Sequence, residues 1–209
     1  MKSVFSRRSA LLALSSLLLA ACAQLAPQNE QAHTGATRTA TRRYHQAIEL
    51  DGRLSVQYQQ NGQDQGLHGS FRWRQSAQHT TVTLMSPLGQ ILAVIDVDPG
   101  RATLTQSGQA PRVAQDVDQL AAQSLGWPLP VSGLRSWLQG FAVDARGKRI
   151  VAAPGTPAFT TGDGWDLEYV SWDDSDPAQV HPKRMDLQRD TEQAGDVRMR
   201  IVIDRWQAH

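Results

Sequence analysis

From Ile48 onward the apolar residues of this chain fall mostly at every second position. Ile48, Leu50, Leu54, Val56 and Tyr58 share one parity. Leu67, Gly69, Phe71 and Trp73 share another, with His68, Ser70, Arg72 and Arg74 between them. Side chains alternate between faces along a strand, so each run predicts a half-buried strand with one wet face. Asn61-Gly62 lies between the two runs and is a strong two-residue turn signal, which makes the pair antiparallel. A chain patterned in this way has to find cover for one face of a sheet.

The stretch Thr83 to Val97 (TLMSPLGQILAVIDV) is the most apolar of the pairs. Two runs, His79–Met85 and Gln90–Val97, flank the break Ser86-Pro87-Leu88-Gly89. Ser suits the first position of a turn, Pro fixes φ at the second and Gly suits the fourth, which leaves Leu88 at the tip. A large apolar side chain has no local reason to stand there. It either folds back onto its own domain or projects to meet something apolar. A Pro-Leu type I turn fits strand twist poorly, so the loop is expected to exceed four residues and to draw in Met85 or Gln90. Apolar groups occupy both faces of this pair: Val82, Leu84, Ile91 and Ile95 on one, Met85, Leu92 and Val94 on the other. Asp98-Pro99-Gly100 closes it, and Ala102–Thr105 continues the meander to a turn at Ser107-Gly108.

The period then changes. Asp116 can cap a helix, with Gln119 as a capping-box partner; Val117, Leu120, Ala121 and Leu125 follow helical spacing, and Gly126 can stop the run. Trp127-Pro128-Leu129-Pro130 is rigid and non-helical. Ser132 is read as the cap of a second short helix, with Leu134, Trp137 and Leu138 on one face and Gly140 as its stop. Strands resume at Trp165–Tyr169, around Met185 and Leu187, and at Val197–Ile203. Eight or more strands with short polar turns, paired in succession, predict a mainly β fold: one curved antiparallel sheet forming an incomplete, half-open β-barrel, with a short helical lid whose apolar face lies on the sheet. No linker divides residues 45–209, so they are read as one domain.

The N-terminus reads differently. Lys2, Arg7 and Arg8 precede the apolar run Ala10–Ala20, which is too short to span a bilayer comfortably. The run ends Leu19-Ala20-Ala21-Cys22, which resembles the bacterial lipobox; Cys22 is the single cysteine of the chain and is expected to be the lipid attachment site. Residues 1–21 are therefore read as a removable lipoprotein signal peptide, with a faint twin-arginine character in Arg7-Arg8. Several acyl chains on one residue would hold the protein firmly without a spanning helix. Ala23, rather than Asp, is by resemblance to such lipoproteins an outer-membrane signal. Residues 22–44 are dominated by Ala, Gln, Thr and Arg, and read as the lipidated Cys followed by a solvated tether.

Beyond the leader, the 20 Asp and Glu slightly outnumber the remaining basic residues, which argues against a nucleic-acid surface. The six histidines show no H-x-x-x-H or H-E-x-x-H spacing, and there is no G-x-S-x-G elbow or phosphate loop. Asp173, Asp174 and Asp176 read as a solvated turn, not as a calcium loop. No metal, cofactor or catalytic residue is expected. The unusual feature is an apolar surplus that includes six tryptophans. Most of it will be core, but a curved sheet under a helical lid can also enclose a hollow suited to acyl chains.

In order along the chain come Gly52-Arg53-Leu54-Ser55-Val56, Gly69-Ser70-Phe71-Arg72-Trp73, Leu84-Met85-Ser86-Pro87-Leu88-Gly89, Gly126-Trp127-Pro128-Leu129-Pro130, Leu134-Arg135-Ser136-Trp137-Leu138-x-Gly140, Trp165-x-Leu167-x-Tyr169-x-x-Trp172 and Arg200-Ile201-x-Ile203-x-x-Trp206. This series, behind an outer-membrane-type lipobox, resembles the LolB family of outer-membrane lipoprotein receptors. The resemblance implies an incomplete β-barrel with a helical lid and an apolar cavity, similar in fold to the periplasmic carrier LolA. It also implies an outer-membrane, lipid-anchored, periplasm-facing monomer. Such a receptor takes acylated lipoprotein cargo from a LolA-like carrier and releases it into outer-membrane lipid without ATP, metal or a covalent step. Leu88 matches the family's membrane-inserting residue, with Pro87 and Gly89 shaping its turn. The expected cavity lining is Leu54, Val56, Phe71, Trp73, Leu84, Ile91, Ile95, Leu120, Trp137, Leu138, Tyr169, Met185, Leu187 and Ile201. A lipoprotein that scaffolds envelope assembly through its sheet edge, with a filled core, is the alternative.

Overall fold

The structure, a computed structural model, describes residues 42–209. The leader, Cys22 and the tether up to residue 41 lie outside the described residues.

Ten strands form one antiparallel sheet: β1 (Ile48–Gln60), β2 (Gln63–Gln75), β3 (Thr80–Met85), β4 (Ile91–Asp98), β5 (Arg101–Gln106), β6 (Arg112–Ala114), β9 (Phe159–Thr160), β10 (Asp166–Asp173), β11 (His181–Thr191) and β12 (Gly195–Ala208). β7 (Phe141–Val143) and β8 (Arg149–Val151) form a separate hairpin. The spatial order is β6-β5-β4-β3-β2-β1-β12-β11-β10-β9, so the sheet is an incomplete barrel with β6 and β9 as its edges. The sequence suggested wholly successive pairing, and the structure departs from it at one place. The first strand pairs with the last, Ile48 opposite Ala208 and Leu54 opposite Ile201, which joins two meanders at the centre. Periodicity within a strand carries no information about a partner 150 residues away.

The predicted turns form with the backbone their residues allow. Asn61 and Gly62 both have positive φ, as a twist-matched two-residue hairpin needs. Two glycines mark tight approaches rather than turns. A Cβ on Gly52 would lie 2.4 Å from the Val202 carbonyl oxygen, and one on Gly69 would lie 2.3 Å from that of Met85. Beside Gly52 the β1–β12 register slips between Asp51 and Gly52. A missing side chain next to a bulge lets the sheet curve.

The inner face is mainly apolar, with Gln75 and Thr80 as buried polar exceptions. Trp73, Trp165, Leu50, Ile95, Leu104, Leu167, Met185 and Ile203 are fully buried and belong to one continuous core. The outer face carries ion pairs that link neighbouring strands: Arg53 with Asp204 (2.8 Å), Arg72 with Asp51 (2.8 Å) and Arg200 with Asp186 (3.4 Å).

Two helices cover the inner face. α1 (Val117–Leu125) begins as expected at Asp116, whose carboxylate accepts from the amides of Asp118 and Gln119, and ends at Gly126 with φ +82°. α2 (Val131–Trp137) begins two residues earlier than expected. Pro130 occupies the capping position and makes no side-chain bond, so Ser132 is not the cap. Ser132 lies inside the helix, where its amide (3.0 Å) and its hydroxyl both donate to Asp118 of α1. Burial holds the Asp118 carboxyl above its ordinary range, against the pull of those two bonds. The strands at residues 141–160 escaped the sequence reading because each has only two or three residues, too short to show a period.

Candidate functional site

Two features could carry function: the loop between β3 and β4, and the covered interior.

The loop runs over the five residues Ser86 to Gln90, built around a three-residue turn. The Gly89 amide donates to the Ser86 carbonyl (2.9 Å), and the Ser86 amide donates to the Gln90 carbonyl (2.8 Å). Gly89 has φ +80°, so a type I turn at Pro87-Leu88 is followed by a left-handed residue. This geometry reconciles a Pro-Leu turn with strand twist, and it draws Gln90 into the loop. The Ser86 hydroxyl oxygen also accepts from the amides of Leu88 (3.3 Å) and Gln90 (3.2 Å). Leu88 is thereby presented to solvent with 89% of its surface exposed. A register slip between Leu84 and Met85 leaves Ile91 opposite Met85, and Ile91 is 57% exposed. Ile91 is therefore not an inward residue, in contrast to the lining expected from parity, which did not allow for the slip. With the partly exposed Leu92 it extends the apolar surface around Leu88.

Every other predicted lining residue points inward. Leu54, Val56, Phe71, Trp73, Leu84, Ile95, Leu120, Trp137, Leu138, Tyr169, Met185, Leu187 and Ile201 are all buried and share one core. Their side chains pack against one another, so an acyl chain could reach them only if the helices moved. Polar contacts hold the helices down. The buried Tyr169 hydroxyl donates to the Trp137 carbonyl (3.1 Å), and burial raises its pKa, so it remains a neutral donor. Arg135 of α2 donates to the Ser76 carbonyl (2.9 Å) and to the Thr80 hydroxyl. Trp137 alone of the predicted lining borders an outward groove of about 780 Å³ between α2 and the β7–β8 hairpin, where Phe141 and Ile150 also lie.

Sequence reasoning missed the lid's polar clamps, because their partners lie far apart in the chain. It also missed a surface cluster at the opposite end of the β3–β4 hairpin from Leu88. There His79 Nδ1 is 2.8 Å from Asp98, and Nε2 is 3.0 Å from the Thr81 hydroxyl. The spacing resembles an acid–base–hydroxyl relay, but the Thr81 hydroxyl donates to Asp96 (2.8 Å) and so directs its proton away from the histidine. Among the described residues no group of three or more His, Cys, Asp or Glu is placed to hold a metal ion, and no helix is long and apolar enough to cross a membrane.

The family described as "Outer membrane lipoprotein LolB" matches residues 46–206, which spans both helices and all but the last two residues of β12. Among curated relatives, the outer-membrane lipoprotein LolB of Cupriavidus necator is 41% identical over 201 residues, covering 95% of this chain and 96% of that protein. Its counterpart in Cupriavidus metallidurans is 38% identical over 217 residues, covering 95% and 96%. Among solved structures, a DUF1329 family protein from Desulfovibrio piger aligns with a TM-score of 0.45 at 10% identity, covering 83% of this chain and 90% of that one. A LolA superfamily protein from Nitrosomonas europaea aligns with a TM-score of 0.44 at 8% identity, covering 83% and 91%. By the family match and the curated relatives, the chain belongs to the LolB family of outer-membrane lipoproteins.

Proposed function

We propose that this chain, an outer-membrane lipoprotein receptor of the Lol pathway, holds the acyl chains of its cargo between the inner face of the sheet and the two helices. It then passes them to the membrane at Leu88. The cargo arrives on a LolA-like periplasmic carrier, and Cys22 with the tether holds the receptor at the outer membrane. The exposed, backbone-defined position of Leu88 supports this reading most directly. A turn that could take a polar residue instead presents a large apolar one at 89% exposure.

The energetics fit transfer without a chemical step. Each acyl methylene moved out of water is worth about 0.8 kcal/mol, so a chain passing between apolar sites never has to meet that full cost. Full burial of Leu88 in a bilayer would contribute about 1.5–3 kcal/mol. That is too little to anchor a protein but enough to bias a tethered one toward contact. Ile91 and Leu92 at the same end of the hairpin would add to it.

The test is Leu88→Glu. With carrier, acylated cargo and vesicles, the substitution is expected to leave carrier-to-receptor transfer at the wild-type level and to lower delivery into the vesicles by at least about tenfold, the value of 1.4 kcal/mol. Delivery at the wild-type rate would refute the role of Leu88. Failure of the wild-type protein to accept cargo would instead support a structural lipoprotein with a filled core.

A further inference from the structure

The last residues of the tether grip the lid. Arg42 Nη2 donates to the carbonyls of Gly140 (3.0 Å) and Ala152 (2.6 Å). Gly140 ends the turn behind α2, and Ala152 directly follows β8. The guanidinium lies over the ring of Trp172 at 4.6 Å and over that of Phe141 at 5.2 Å. A Cβ on Gly140 would stand 2.6 Å from Arg42 Nη2 and 2.7 Å from the Trp172 ring, so the bare backbone there is what admits the arginine. Three residues further on, the His45 amide donates to Gln139 Oε1 (2.8 Å), and Gln139 Nε2 returns a bond to the His45 carbonyl (3.0 Å). The buried Gln139 side chain thus completes a backbone-like rung between this segment and the turn behind α2.

The chemistry of this grip is unusual for an arginine. Outer-face arginines such as Arg53, Arg72 and Arg184 each pair with a carboxylate, but Arg42 makes no such pair among the described residues. Its charge faces one carbonyl in the turn beyond the C-terminal end of α2, one carbonyl after β8, and two ring faces. Burial lowers its pKa from the ordinary arginine value. Water can replace each of these contacts once the turn moves away, so the grip opposes opening without making it prohibitive.

We propose that Arg42 is a positioning residue that latches the lid: with His45 it holds the turn behind α2 against the body, and acyl chains enter when that grip is released. The proposal rests on the acyl-receptor reading above. It places the latch on the segment of chain that leads back to Cys22, so the residues that join the body to its tether also set how readily the lid opens. Lysine would not serve equally, since it lacks the planar group that can stack on a ring while donating to two carbonyls.

The test uses the full-length lipidated chain in vesicles of phosphatidylethanolamine and phosphatidylglycerol. Amide hydrogen exchange is compared for wild type, Arg42→Ala and Arg42→Lys. In Arg42→Ala, exchange across residues 134–140 is expected to rise about tenfold, with a smaller rise in Arg42→Lys and none in the β1–β12 ladder. Uptake of a peptide carrying brominated acyl chains, followed by tryptophan quenching, is expected to quicken roughly threefold in Arg42→Ala. The latch is overturned if exchange at 134–140 stays at the wild-type level, if it rises equally along β1 and β12, or if Lys restores it fully. Local loosening without faster uptake overturns the gating role. Absence of uptake by the wild type defeats the receptor reading instead, and the exchange data still decide whether Arg42 holds the turn.

Discussion

At Gly89 the backbone turns through a left-handed conformation, and no atom stands within 4 Å of where a Cβ would lie. Any cost of a side chain there is therefore a backbone cost. Gly89→Ala is expected to lower stability by about 1 kcal/mol, read by chemical denaturation, because alanine tolerates positive φ poorly. Elsewhere single charges set the response to acid. Burial raises the pKa of the Asp51 carboxyl, but hydrogen bonds from Arg72 and Arg205 outweigh it and hold the group below its ordinary value. A depressed carboxylate stabilises the fold above its unfolded pKa, and that contribution is lost as pH falls through the folded value. Stability is thus expected to fall as pH drops below about 4, and the acid limb of a pH–stability curve should be shallower in Asp51→Asn. At this scale the sequence was partly legible. Ser86, Pro87 and Gly89 each announced a turn position, and Leu88 stood out because no turn chemistry called for it. The wrong placement of Ile91 came from a one-residue register slip, which no alternation pattern contains.

Among the elements, α1 shows how local rules and packing divide the work. Asp116, Gln119 and Gly126 defined its ends in the sequence, and in the structure the Asp116 carboxylate accepts two amides, each at 2.9 Å. Asp116→Ala is expected to cost about 1 kcal/mol of stability, measured by thermal or chemical unfolding. The start of α2 was not legible in the same way. Ser132 has the chemistry of a cap, but its hydroxyl is engaged by Asp118 of α1, and the helix starts at Val131, after Pro130. That contact is tertiary and leaves no trace in spacing. The same holds for the β7–β8 hairpin and β9, whose strands are shorter than one period of evidence. The long strands were readable because each buries one face and wets the other over many residues.

On the scale of the whole molecule, the proposed transfer of acyl chains uses an open sheet, a helical lid and an exposed apolar loop. The half-open fold was legible from the number of strands and the single helical interruption. The joining of β1 to β12 was not, because it depends on two segments at opposite ends of the body. In the proposed transfer the interior, whose residues pack together in this structure, opens to admit acyl chains. The most direct measurement uses the unlipidated chain without its leader, titrated with a triacylated peptide brominated on its acyl chains, in variants that retain Trp73 or Trp137 as the only tryptophan. Bromine quenches by contact, so saturable quenching of both residues is expected at one peptide per chain, and none with the unacylated peptide. Fluorescence that stays unchanged at saturating acylated peptide would rule out entry of acyl chains into the interior.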